Sequence, residues 1–423
     1  SPSATIWTGW KRCSLRLREG NRVRVFQLNT YCGVKSTGRI ALDIARLVEA
    51  DGGECRIGYG VPGIAPEAQP YACRVGAPWE RKLHGAARKL LDAEGYGSVL
   101  GTTGLIRDME RFDPDIIHLH NLHGCYLNMP MLFHALQQMH KPVLWTLHDC
   151  WPFTGHCAYF DACGCERWLE ECHDCPQQRA YPVCIGLDGS RRNYCMKKRI
   201  FTQLERLTFA APCEWMAGRL RASFLGRYPV RVILNGVNRE IFQPTPGDLR
   251  SRYGLEGVRV VLSVASEWDE RKGLRYLTQA AREMGENYRF VVIGLEQTQI
   301  DSLPQGMLGL TRTRDTAELA AWYTAADCLA NPTLEDNMPM VNLEALACGT
   351  PVAVFRTGGC PEALDESCGC VVEKGDVTAL CGAIARLCDA KPSLNAACLR
   401  RAALFDAQDT FRAYLSLYKE LCS

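Results

Sequence analysis

Residues 331–351 read NPTLEDNMPMVNLEALACGTP. A short apolar run ends at Leu329 and Ala330. A loop carrying Glu335, Asp336 and Asn337 follows. Met338 and Pro339 then lead into an apolar-periodic segment, Val341, Leu343, Leu346 and Ala347, which Gly349 and Pro351 stop. This order spells strand, loop, helix N-terminus, helix, stop. In a parallel sheet a ligand sits where such a loop leaves the carboxyl end of a strand. Asp336 and Glu344 have seven residues between them. Both carboxylates can therefore face one cleft, beside a helix N-terminus that favours phosphate. An ionised carboxylate accepts two donors at once, so it suits vicinal hydroxyls. The pair fits a sugar attached to a nucleotide diphosphate. Two acids alone read equally well as the acidic first turn of an ordinary helix.

Outward from this stretch, residues 351–355, PVAVF, read as a buried strand, and 357–364, TGGCPEAL, as a turn with Gly358 and Gly359 opening another helix. Together these resemble the donor-binding core of retaining GT-B glycosyltransferases, glycosyltransferase family 4 in particular. That family shows an acid, seven residues, Glu, then Ala-x-Ala-Cys-Gly-x-Pro and Gly-Gly-x-Pro-Glu. Here Asp336 takes the first acidic position, where the family more often has Glu, and Glu335 precedes it. The resemblance leaves open which of these two adjacent acids meets the sugar.

The chain has 423 residues, 47% hydrophobic and 23% charged, enough for two domains of ordinary size. A net charge of +2 gives no bulk attraction for nucleic acid. No apolar run approaches the ~18 residues of a membrane span. Residues 1–21 have no signal-peptide core and are read as a leader or extension outside the fold. The 23 cysteines are an odd number, so at least one thiol is unpaired. A chain this long needs no disulfide framework, and the expected compartment is a reducing cytoplasm.

Residues 22–28, RVRVFQL, alternate like a first strand. NTYCGVKSTG, 29–38, is a turn holding Gly33, Ser36, Thr37 and Gly38 before a helix over 39–50. It lacks the G-x-G-x-x-G dinucleotide pattern, which weakens any hydride chemistry. Residues 79–91, WERKLHGAARKLL, set Trp79, Leu83, Leu90 and Leu91 against Arg81, Lys82, Arg88 and Lys89. This basic amphipathic helix is expected to lay its apolar side on the core. A second reading places it on an anionic membrane, at the inner face of the cytoplasmic membrane.

DIIHLH (115–120) and PVLWTLH (142–148) are two further strands, with His148-Asp149 at the end of the second. A near-neutral imidazole there can fix a hydroxyl or assist leaving-group charge. Residues 157–175 carry cysteines at 157, 163, 165, 172 and 175. Cys172-x-x-Cys175 supplies one close thiolate pair, which Cys157 and Cys165 can complete as a tetrahedral zinc site. A redox cluster or disulfides are the alternatives. Arg271 and Lys272 directly precede Gly273 and a helix. Two cations at that point suit a diphosphate, neutralising charge as it departs.

The resemblance covers about residues 22–423 and is strongest over 264–275, the R-K-G motif, and 329–362. It implies an α/β GT-B fold: two Rossmann-like, doubly wound domains facing a cleft. Residues 22–240 would be the acceptor-side domain, with a cysteine-rich insert at 150–180. Residues 241–406 would hold the donor, and 407–423 would form a helix crossing back to the first domain. It implies hexose transfer from a UDP- or GDP-linked sugar to a glycan or lipid-linked hydroxyl, with retained anomeric configuration. Arg271 and Lys272 would stabilise the departing phosphate. Glu344 would hold the ribose, Asp336 with the backbone of Asn337 and Met338 the hexose, and His148 its opposite side. Gly33, Ser36, Thr37 and Gly38 would lie against the diphosphate, and Glu335, Pro339, Gly358 and Gly359 would complete the donor pocket. On the same resemblance any zinc is structural, with Cys163 as the spare thiol. Bacterial surface-polysaccharide synthesis is the implied setting. A nucleotide-sugar epimerase or hydrolase, or a non-catalytic scaffold, are the rivals.

Overall fold

The computed structural model describes residues 22–423, so the proposed leader at 1–21 lies outside the described residues. Seven strands form the first sheet: β1 (Arg24–Asn29), β2 (Glu54–Tyr59), β3 (Ala72–Arg74), β4 (Ile116–Leu119), β5 (Val143–Thr146), β6 (Leu207–Ala211) and β7 (Val230–Val232). Their spatial order is β3-β2-β1-β4-β5-β6-β7. Six form the second: β8 (Arg259–Val264), β9 (Tyr288–Ile293), β10 (Met307–Leu310), β11 (Cys328–Asn331), β12 (Val352–Phe355) and β13 (Gly369–Val372). Their order is β10-β9-β8-β11-β12-β13. Every pairing is parallel. Parallel strands need crossover helices on both faces, so the central strands are buried on both sides. β4, β5, β11 and β12 are buried at every residue, which is why they read as continuous apolar runs.

Both sheets reverse their winding beside the first strand of the domain. In an open α/β sheet that is where ligands bind, outside the carboxyl ends of the strands. The loops leaving β1 and β5 of the first sheet meet those leaving β8 and β11 of the second, at Lys35–Glu267 and His148–Asn337, and the segment after β6 meets the one after β12 where Glu362 accepts the N–H groups of Glu214 and Trp215.

The helix Ala407–Cys422 closes the chain against the first domain. Phe411, Tyr414, Leu417 and Tyr418 share one core with Val25, Ile40 and Ile44. Tyr418 Oη sits 2.6 Å from His118 Nδ1 on β4. The two interdomain crossings run side by side, with the Val237 N–H donating to the Phe405 carbonyl and the Val237 carbonyl accepting from the Ala407 N–H, on either side of Asp406.

Several elements match their sequence signals, β2 and the last helix among them. The first helix starts earlier than expected, at Lys35, so Ser36, Thr37 and Gly38 form its first turn rather than a preceding loop. The larger difference concerns the helix Pro78–Leu91. Its inward face carries Glu80 and His84, and its apolar residues point outward. Glu80 accepts the N–H groups of Leu100 (2.7 Å) and Gly101 (3.0 Å), and His84 Nδ1 meets Ser98 Oγ at 3.0 Å. Amphipathic spacing tells two faces apart but not which is turned inward. Here the start of the next helix, Val99–Phe112, needs an acceptor for its free N–H groups, and Glu80 supplies it.

Candidate active site

The loop after β11 brings Asp336 against the cations after β8. Lys272 Nζ lies 2.5 Å from Asp336 Oδ2, and Arg271 Nη1 lies 3.9 Å from the same oxygen. Arg271 also donates to the Glu335 carbonyl at 2.7 Å, and Leu334 N–H donates to the Arg271 carbonyl at 2.7 Å. The two loops are therefore laced together over a few residues. Gly273 permits this. Its φ is +79°, and a Cβ there would stand 2.1 Å from the Pro332 carbonyl oxygen. Burial alone would raise the Asp336 carboxyl, but Lys272 and Arg271 outweigh it and hold it below the usual carboxylate range.

Glu344 sits in the helix Met340–Ala347, which follows the acidic loop. Its Oε2 accepts the Tyr323 hydroxyl at 2.7 Å. Burial raises its carboxyl, opposed by that hydroxyl and by the Arg39 guanidinium facing it from the first domain. A carboxylate with spare lone pairs in a half-buried cleft is suited to paired hydroxyls.

His148 follows the end of β5 and meets the acidic loop through its backbone. The Asn337 amide donates to the His148 carbonyl at 2.5 Å, which fixes the two domains' loops together. The ring belongs to a chain of neutral imidazoles. Gln27 gives its amide N–H to the Ala41 carbonyl, leaving its carbonyl oxygen to accept from His120 Nε2 at 2.8 Å. His120 Nδ1 is then the acceptor for His148 Nε2, 3.0 Å away. That tautomer leaves His148 Nδ1 as an acceptor, so this neutral ring receives a hydroxyl proton rather than giving one. Burial holds the His148 imidazole down at about 4.

Other expected residues fall around this centre. The Met338 carbonyl accepts Asn235 Nδ2 at 3.0 Å, and Pro339 precedes the helix Met340–Ala347. Gly358, with φ +53°, backs directly on the Asp336 carbonyl, where a Cβ would stand 1.6 Å away. Gly359 N–H donates to the Asn337 carbonyl at 2.6 Å. These two glycines set the height of the acidic loop. In the first domain, Gly33 N–H donates to the Gly38 carbonyl at 3.0 Å, and Thr37 Oγ1 receives Asn29 Nδ2 at 3.3 Å. Across the cleft from this turn, Lys35 Nζ reaches Glu267 at 3.3 Å.

Glu335 is placed differently from its neighbour. Its buried carboxylate accepts the N–H groups of Phe160 (2.8 Å) and Ala162 (2.9 Å) in the cysteine-rich insert. Of the two adjacent acids, only Asp336 joins the cations through its side chain. The insert touches the site again at Tyr159, whose ring lies 4.1 Å beneath the Arg271 guanidinium. Sequence reading missed Tyr159, Tyr323 and Arg39. Contact across a domain boundary has no periodicity or spacing, so no local signal marks them.

Cys157, Cys165, Cys172 and Cys175 line one small cavity with His156, Phe160 and Trp168. Cys163 is exposed and donates its thiol to the Phe160 carbonyl at 3.2 Å. Lys197 lies buried beside this cavity, donating to the carbonyls of Trp151 (2.7 Å) and Thr154 (3.0 Å). The four sulfurs are not drawn to metal-sharing distance: among the described residues the group of three ligand atoms lying within 4.8 Å of one another is elsewhere, at His84, Glu94 and Cys125. Its lone pairs are already used. Glu94 accepts from the N–H groups of Gly124 and Cys125, and His84 Nε2 from those of Gly95 and Gly97.

Residues 37–241 match the family model described as Glycosyltransferase Family 4, and residues 258–390 the model described as Glycosyl transferases group 1. The chain is 28% identical over 278 residues to the putative colanic acid biosynthesis glycosyl transferase WcaC of Escherichia coli. That alignment takes in 63% of this chain and 66% of WcaC. It is 31% identical over 215 residues to the D-inositol 3-phosphate glycosyltransferase of Saccharomonospora viridis, over 45% of this chain and 50% of that one. The chain thus spans between half and two thirds of these relatives' length. Among solved structures, sucrose-phosphate synthase from Thermosynechococcus elongatus superposes with a TM-score of 0.69 at 17% identity, over 95% of this chain and 99% of that one. Anabaena HepE in complex with UDP-glucose gives 0.65 at 14%, over 94% and 100%. The fold is the GT-B arrangement of two Rossmann-like domains.

Proposed function

We propose that this chain, built from a glycosyltransferase family 4 domain and a group 1 glycosyl transferase domain, is a retaining hexosyltransferase. It takes a nucleotide diphosphate sugar as donor and a glycan or lipid-linked hydroxyl as acceptor. The observation carrying this reading is the meeting of Arg271, Lys272 and Asp336, with the adjoining Asn337 bonded to the His148 carbonyl and Glu344 on the following helix turned towards Arg39 of the first domain. The family matches support it, and WcaC, named for colanic acid biosynthesis, supports a role in bacterial surface-polysaccharide assembly.

In this mechanism the donor's diphosphate takes Lys272 from Asp336 and shares Arg271. Asp336 is then free to accept hexose hydroxyls, while Glu344 accepts those of the ribose. The bond from the anomeric carbon to the phosphate oxygen breaks as the acceptor oxygen bonds that carbon on the same face. The acceptor's proton passes to the leaving phosphate oxygen, whose charge Arg271 and Lys272 neutralise. His148 Nδ1 accepts a sugar hydroxyl on the opposite side. Tyr159 and Glu335 are positioning residues: one supports Arg271, the other pins the insert to the donor loop.

A structural zinc ion would draw together the sulfurs of Cys157, Cys165, Cys172 and Cys175 from the walls of the insert cavity. Four thiolates on one metal leave a net negative charge, and the buried ammonium of Lys197 beside Cys157 and Cys172 would compensate it. A metal there would hold Tyr159 and the N–H groups of Phe160 and Ala162 in place with little core beneath them. The reading is tested by incubating the protein with UDP- and GDP-sugars and following nucleotide release with an acceptor. An epimerase would convert the donor without acceptor, and a scaffold would release nothing.

A further inference from the structure

The helix Pro78–Leu91 is inverted: Glu80 and His84 point in and its apolar stripe points out. Trp79, Leu83 and Leu90 recur at helical spacing on the outward side, flanked by exposed Lys82 and Lys89. The one acid of this helix, Glu80, is turned inward onto the next helix. Two further segments extend the stripe. Leu100 opens the helix Val99–Phe112 and is tied through its N–H to Glu80 at 2.7 Å. Ile185 and Leu187 lie along the other end, their N–H groups donating to the carbonyls of Lys89 and Leu90 at 2.9 Å each. These six side chains are between 55% and 67% exposed. Thirteen large apolar side chains are exposed among the described residues, and ten of them fall within 79–100 and 181–187. Scattered exposed apolar residues are ordinary, but a contiguous patch marks an interaction surface.

We infer that this face docks peripherally on an anionic lipid bilayer. An apolar stripe bordered by lysines matches the boundary between headgroups and acyl chains, where rings and branched chains sink in and ammonium groups meet phosphates. Exposed Arg179 and Arg192 add charge at the same end. Arg192 donates to the carbonyls of Leu91 and Asp92. No helix among the described residues is long and apolar enough to cross a membrane, so the contact is one of lying on the surface.

The surface continues into the cleft. The segment bearing Ile185 and Leu187 begins at Tyr181, whose hydroxyl meets His123 Nδ1 at 3.0 Å. His123 Nε2 in turn meets Asp149 at 2.8 Å, next to His148. A bilayer against this face would present a lipid-linked acceptor at the mouth beside His148. That use rests on the transferase reading; the docking itself does not.

The full chain is sedimented with phosphatidylcholine vesicles, with and without phosphatidylglycerol. The wild type is expected to partition onto the anionic vesicles and to be released by salt. Leu83→Glu with Leu90→Glu, or Lys82→Gln with Lys89→Gln, should weaken partition by about tenfold or more. Nucleotide-induced thermal stabilisation should be the same in all three proteins, which separates this surface from the donor site. Wild type left in the supernatant with both vesicle types would overturn the inference. So would partition unchanged by both pairs of substitutions, or a solution dimer that the leucine substitutions split into monomers.

Discussion

Lys272 Nζ and Asp336 Oδ2 stand 2.5 Å apart at the centre of the cleft, each about one-fifth exposed. The ion pair joins the loop after β8 to the loop after β11, so on the proposed mechanism a donor diphosphate would have to draw Lys272 away from Asp336. Replacing one partner leaves the other charge half-buried and unpaired. Lys272→Met and Asp336→Asn should each lower thermal stability, and the double variant should lose less than the sum. A coupling of about 1 kcal/mol or more in that cycle is expected. Strict additivity in calorimetry would show that the pair is not formed.

Glu344→Gln should leave the fold intact, because burial already disfavours its charge. Turnover with a competent donor should fall by at least about 2–3 kcal/mol of transition-state stabilisation. Steady-state kinetics with a nucleotide sugar test this. An unchanged kcat/KM would remove Glu344 from the site.

The buried imidazoles of His118 and His120 and the half-buried one of His148 are all pushed down by desolvation, His148 to about 4. In the unfolded chain a histidine takes its proton near pH 6.5. Between there and about 4 the unfolded state binds more protons than the folded one. Stability therefore rises with pH across that window and is lost as pH falls. The melting temperature should drop steeply from pH 6.5 towards 4.5, and less so in His120→Gln. A flat profile over that range would contradict the neutral chain.

Glu335→Gln should loosen the insert more than it weakens donor binding. Two charge-assisted hydrogen bonds to Phe160 and Ala162 are weakened, at a cost of about 1–3 kcal/mol. Faster proteolysis within 157–187, with nucleotide affinity changed less than in Asp336→Asn, is the expected pattern. Metal analysis should also find about one zinc per chain, lost when Cys172 and Cys175 are both replaced by serine.

The acidic stretch was legible because its stop signals are local: Pro339 before the helix, Gly349 and Pro351 after it. Arg271 and Lys272 stood out only through the R-K-G motif, because a lone pair of cations reads as ordinary exposed surface. What the chain does across space left no such trace. Glu335 and Asp336 are neighbours in sequence, yet one caps the insert's N–H groups and the other meets the cations. Tyr159 reaches Arg271 from another domain. The spacing of Trp79, Leu83 and Leu90 announced two faces, but only the hold of Glu80 on the start of the next helix settles which one is inside.

A thermal-shift panel of UDP, GDP, ADP and their sugars, run on wild type and Glu344→Ala, tests the central claim most directly. One nucleotide series should raise the wild-type melting temperature in proportion to occupancy, with the response lost in the variant. Wild type indifferent to every nucleotide, or a variant that responds as strongly, would mean that the charges of 271–272, 336 and 344 do not enclose an activated sugar.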